Sequence, residues 1–153
     1  MSWTIPPVES RFGLVTYGER VRAYTESAFQ HFLEIERERC LRSGERCFLV
    51  LAELKGRDGS PERMARTASA SLFRTFSACL RETDFLGWHK EGHIAGAVLT
   101  ETGSEQDDEA LRRVVERIRR TFENAVPVDV SSRLHIRVSA VPAETARAGR
   151  ARG

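Results

Sequence analysis

Cysteine is scarce and odd in number. Cys40, Cys47 and Cys79 are the only three, and none belongs to a CxxC pair. That excludes a disulfide scaffold and leaves three thiols that read as buried apolar groups in a reducing compartment. Long apolar runs are also missing. The best, Phe48–Ala52 and Ile94–Leu99, are far too short to span a bilayer. The opening Met1-Ser-Trp-Thr-Ile-Pro-Pro has neither a basic start nor an apolar stretch of signal-peptide type, so a cytoplasmic protein without membrane association is expected. Charge of one sign is lacking too: 24 basic side chains face 22 acidic ones, for a net +2, which argues against nucleic acid as a partner. Internal repeats are absent. What remains is 153 residues with 41% hydrophobic and 30% charged side chains, enough for one domain with its own core.

Residues 1–15 hold Pro6, Pro7 and Gly13 and read as an irregular lead-in. From Thr16 to Ser43, Val21, Tyr24, Ala28, Phe32 and Ile35 step by three or four, as along one helix face, with Gly44 placed to end it. Cys47–Leu54 is a short, near-continuous apolar run and reads as a covered strand. After the loop Lys55–Ser60, Ser60 is a candidate cap for a helix from Pro61 to about Arg81, with Ala68, Leu72, Phe76 and Leu80 on its inner face. Asp84–His89 and His93–Thr102 read as a hairpin turning at Lys90-Glu91-Gly92. Ser104, with Asp107 three residues on, marks the start of another helix, whose stripe is Leu111, Val114, Val115, Ile118 and Phe122. Leu134–Ala140 alternates like a half-buried strand, and residues 143–153 read as a disordered basic tail. Without the first helix the order is βαββαβ, a ferredoxin-like α+β fold. It predicts an antiparallel four-stranded sheet, helices on one face and a long helix in front. Leu49, Leu51, Leu72, Phe76, Val115, Ile118, Ile136 and Val138 are the expected core.

This order resembles the GGDEF diguanylate cyclase domain, most clearly over Leu72–Thr102, and loosely over 16–142 as the domain. In that family a helix ends in Arg-x-x-Asp, five residues follow, and the five-residue signature sits on the hairpin turn. Here Arg81-Glu82-Thr83-Asp84 supplies the first element, and Lys90-Glu91-Gly92-His93-Ile94 occupies the signature position. The resemblance implies bacterial signalling, with a link to exopolysaccharide control. It also implies departures. The family uses carboxylates on the turn and the first strand to hold two divalent cations against polyphosphate. In KEGHI only Glu91 is acidic, and His93 is a poor substitute as a magnesium ligand. The family's strand aspartates fall near Val50 and Ala52, while Glu53 belongs to the opposite face. The family's guanine-binding stretch is replaced by RDGSPERMARTA. The expectation is therefore a degenerate turn with no catalytic residues, no metal and no cofactor. Such a pseudoenzyme would act as a regulatory or scaffolding module with a protein partner or as a homodimer.

Two alternatives stand beside it. One is a cyclic di-GMP receptor through Arg81 and Asp84, a pair that in the family can form an inhibitory site. Arg81 would offer a planar fork of donors and Asp84 paired acceptors. Against it, Arg81 reads equally as a solvated helix-end cation and Asp84 as a turn cap. The other is an active nucleotide cyclase of atypical chemistry. His89 and His93 flank the turn and read as surface residues, Trp88 as a core or edge aromatic. Arg112, Arg113, Arg117, Arg119 and Arg120 share a helix with acids and read as a charge-laced wet face.

Overall fold

The computed structural model describes residues 13–17, 21–81, 84–100 and 107–141. In chain order the elements are β1 (Leu14–Tyr17), β2 (Val21–Tyr24), α1 (Glu26–Ser43), β3 (Cys47–Lys55), β4 (Pro61–Glu62), α2 (Arg66–Cys79), β5 (Phe85–Lys90), β6 (Ile94–Leu99), α3 (Asp107–Ala125), α4 (Val128–Ser131) and β7 (Leu134–Val141). β3 pairs with β6 through Phe48–Glu53 and with β7 through Cys47–Leu54, so these two partners lie on its opposite edges. β5 pairs antiparallel with β6. The central sheet therefore runs β5-β6-β3-β7, every pair antiparallel, which is the ferredoxin-like βαββαβ arrangement. The hairpin β1–β2 extends it beside β5, and β4 adds two residues at the end of β3.

Alternation along β3 divides the interior. Phe48, Val50, Ala52 and Leu54 face α2 and α3, joining Leu72, Phe73, Phe76, Ile118 and Phe122. Cys47, Leu49 and Leu51 face the other way, against Phe29, Leu33 and Cys40 of α1. α2 and α3 cover one face as expected, and the leading helix covers the second. Its seat is cut by glycine. Gly87 and Gly96 are register partners, and a β-carbon at either would fall 2.9 Å from the Phe29 ring. Two missing side chains thus make the socket for one fully buried phenylalanine.

Several expectations need correcting. The segment expected as helix from Thr16 begins instead with two strands, and α1 starts at Glu26 with Thr25 as its cap. The helical step from Val21 to Ile35 is a coincidence of spacing: Val21 and Ala23 are buried in strand alternation, while Ile35 is exposed. The helix expected at Pro61 begins at Arg66, because Asp58 already engages the Ser60 hydroxyl and amide in a tight turn. Of the expected core, Leu49, Leu51, Leu72, Phe76 and Ile118 are buried, while Val115 and Ile136 are partly covered. Val138 is 37% exposed, since it lies on a strand whose only strand partner among the described residues is β3. The cap expected at Ser104 and the tail 143–153 lie outside the described residues.

Candidate functional site

The hairpin turn is held from two sides. The His93 N–H donates to Lys90 O at 2.9 Å, closing the turn, and Gly92 takes a φ of 77° that favours glycine. The Glu91 N–H donates to Glu26 Oε1 at 2.8 Å, so the first turn of α1 reaches across to grip it. Gly92 O accepts from the Met64 N–H at 2.8 Å. A β-carbon at Gly92 would fall 2.5 Å from Arg63 Nη1 and 2.7 Å from its Cζ. The guanidinium of the β4–α2 link is therefore laid directly on the turn. His93 Nδ1 lies 3.2 Å from Glu91 O. Sequence reasoning found the turn but missed Glu26 and Arg63. Neither lies near it in the chain, and only their placement by α1 and β4 brings them there.

Arg81 and Asp84 do come together, but as a closed loop. Asp84 Oδ2 accepts the Arg81 N–H at 2.9 Å, and Oδ1 accepts the Thr100 N–H at 3.1 Å. The Asp84 N–H returns to Arg81 O at 3.0 Å. The Asp84 side chain is only 3% exposed, whereas that of Arg81 is 56% exposed and stands 4.0 Å away through Nε. This carboxylate ties the end of α2 to the end of β6. It is a turn cap built into the sheet's rim.

The remaining candidates also find places. Trp88 is buried and meets Phe73 edge-on at 5.0 Å. His89 is no surface residue: it is partly buried beside Phe29, and its buried Nδ1 has no hydrogen-bond partner among the described residues. Burial first, then the Arg137 charge, hold its pKa below the ordinary value of 6.5, with Arg37 adding to and Glu26 opposing the shift. Glu53 lies on the α1 side of β3, 3.8 Å from Arg137 Nη2, and so faces away from Val50 and Ala52. Three arginines of α3 pair along the helix, Arg112 and Arg113 with Glu109 and Arg120 with Glu116, while Arg119 donates to Leu134 O. All three cysteines are buried. A cavity of about 390 Å³ lined by Gly56, Arg57, Glu62, Asp129, Ser132 and Arg133 opens beside α4, its Arg133 already paired with Glu62.

What the turn can do chemically follows from this inventory. Among the described residues it brings no trio of metal-ligating side chains together. Val50 and Ala52 present only apolar side chains to the α2–α3 side of β3. Among the described residues, no helix is long and apolar enough to cross a membrane.

No family model and no curated protein matches the chain. Solved structures do. A diguanylate cyclase protein from Thermotoga maritima superposes with a TM-score of 0.61 at 17% identity, over 80% of this chain and 84% of that one. The GGDEF domain of DgcB from Caulobacter crescentus, solved in complex with cyclic di-GMP, gives 0.54 at 9% identity, over 77% and 71%. Diguanylate cyclase SiaD from Pseudomonas aeruginosa, solved with its activator SiaC, gives 0.53 at 18% identity, over 77% of this chain and 46% of that one. At these identities the likeness is one of fold: the chain has the architecture of the GGDEF diguanylate cyclase domain.

Proposed function

We propose that this domain is a non-catalytic member of the cyclase fold, acting in the cytoplasm as a regulatory or scaffolding module in bacterial signalling. Exopolysaccharide control is a setting consistent with that role. The observation that carries the reading is the turn itself. Its amide at Glu91 is bound by Glu26, its carbonyl at Gly92 by Met64, and its open side is covered by Arg63. These contacts engage an amide and a carbonyl of the turn and lay a guanidinium on it, and one carboxylate, Glu91, stands where two cations would need several. A scaffold works through partners, and SiaD, solved in complex with its activator SiaC, is a precedent for a partner-bound protein that carries this fold over part of its length.

The test is an incubation of the purified protein with GTP and magnesium or manganese. No cyclic dinucleotide is expected. Time-dependent product that vanishes in Glu91→Ala would establish the atypical cyclase instead. The receptor alternative is tested by calorimetric titration with cyclic di-GMP. Because both Asp84 oxygens already accept backbone amides, no heat dependent on Asp84 is expected. Saturable binding weakened at least about tenfold in Arg81→Ala would favour the receptor.

A further inference from the structure

Far from the turn, at the opposite end of α1, Cys40 and Cys47 bring their sulfur atoms to 3.8 Å. Two thiolates held at about 2.3 Å on a tetrahedral zinc are also about 3.8 Å apart, the edge of that tetrahedron. Packed thiols alone can reach this separation, so the neighbours decide. Glu36 lies one helical turn before Cys40, and the ligand atoms of Glu36, Cys40 and Cys47 all fall within 4.8 Å of one another. The position beside them already holds a cation. Arg39 Nη2 lies 2.5 Å from Glu36 Oε2 and 3.7 Å from Cys40 Sγ, while Nη1 lies 2.9 Å from Glu45 Oε1. Two carboxylates and a sulfur converge on one positive group. The Arg39 side chain is 40% exposed, so it can swing into water and leave the acceptors behind.

We propose that Glu36, Cys40 and Cys47 form a site for one thiophilic divalent cation of the zinc class, which displaces Arg39 and completes its fourth position on the solvent side near Glu45. Binding converts two S–H groups to metal thiolates, releases two protons to solvent and transfers no electron. The site joins the last turn of α1 to the first residue of β3.

Cobalt(II) alone, added to the full chain under a phosphine reductant with its thiols confirmed free, is the probe. The expected result is thiolate-to-cobalt charge transfer with the d–d bands of tetrahedral cobalt, saturating at one ion per chain and bleached by zinc. Cys40→Ser and Cys47→Ser should abolish the charge-transfer band, and Glu36→Gln should weaken binding by about tenfold or more. Arg39→Ala should tighten it, which adventitious metal on a thiol would not show. Absence of the band in the reduced wild type overturns the proposal, whether or not the serine variants fold. Persistence of the band in the Cys40→Ser/Cys47→Ser double variant overturns it as well.

Discussion

Each oxygen of the Asp84 carboxylate accepts a backbone N–H, one from its own loop and one from the end of β6. Replacing it with alanine leaves the part-buried Thr100 N–H without its acceptor and the exposed Arg81 N–H to water, so Asp84→Ala should lower stability by about 1–2 kcal/mol in urea titrations. The Arg81 side chain is 56% exposed and pairs with Asp84 across 4.0 Å, so Arg81→Ala should cost less, no more than about 1 kcal/mol. His89 adds a pH signature. Its folded pKa is depressed, so below the ordinary value the unfolded chain binds a proton that the folded one resists. Stability should therefore fall as pH drops from about 7.5 toward 5, and His89→Gln should flatten part of that slope. The pairing of Arg81 with Asp84 was legible from the chain. The burial of one partner and the exposure of the other were not, because they depend on where Thr100 ends its strand.

At the scale of elements, α1 is the part that sequence periodicity misplaced. Val21 and Tyr24 fall in helical step with Ala28 and Phe32, but Arg22 points out between two buried residues, the alternation of a short strand. A four-residue strand is too brief to outvote an adjoining helix pattern. The same limit hid β4, two residues long and followed by a helix whose N-cap, Ala65, offers no side chain to bond. The longer elements β3, β5, β6, α3 and β7 announced themselves, because each carries enough alternation or stripe to fix its type. The grip of α1 on the hairpin can be tested directly. Glu26→Ala should leave global stability nearly unchanged, since the bond is exposed. Amide exchange at Glu91 should become faster, while exchange at Val50, on the fully buried strand, should not change.

At the scale of the molecule, one sheet separates two apolar interiors. Phe76 anchors the interior under α2 and α3, and Phe29 anchors the one under α1. Phe76→Leu and Phe29→Leu should each cost about 1–2 kcal/mol. Because the sheet stands between them, the double variant should lose the sum to within about 0.5 kcal/mol in equilibrium unfolding. A larger departure would mean that the sheet transmits strain from one side to the other. The fold class was readable because βαββαβ order survives errors at element ends. The second interior was not, because no residue of α1 states which surface it will cover.

The eighteen residues of α1 extend about 27 Å, from Glu26 at the hairpin to the sulfur pair at the start of β3. A helix fastened at both ends behaves as a connecting rod: it cannot tilt at one end without displacing the other. If a cation held at the Cys40–Cys47 end changes the freedom of the Glu91 amide, the reciprocity of coupled equilibria requires that whatever seizes the hairpin alter the affinity for that cation by the same factor.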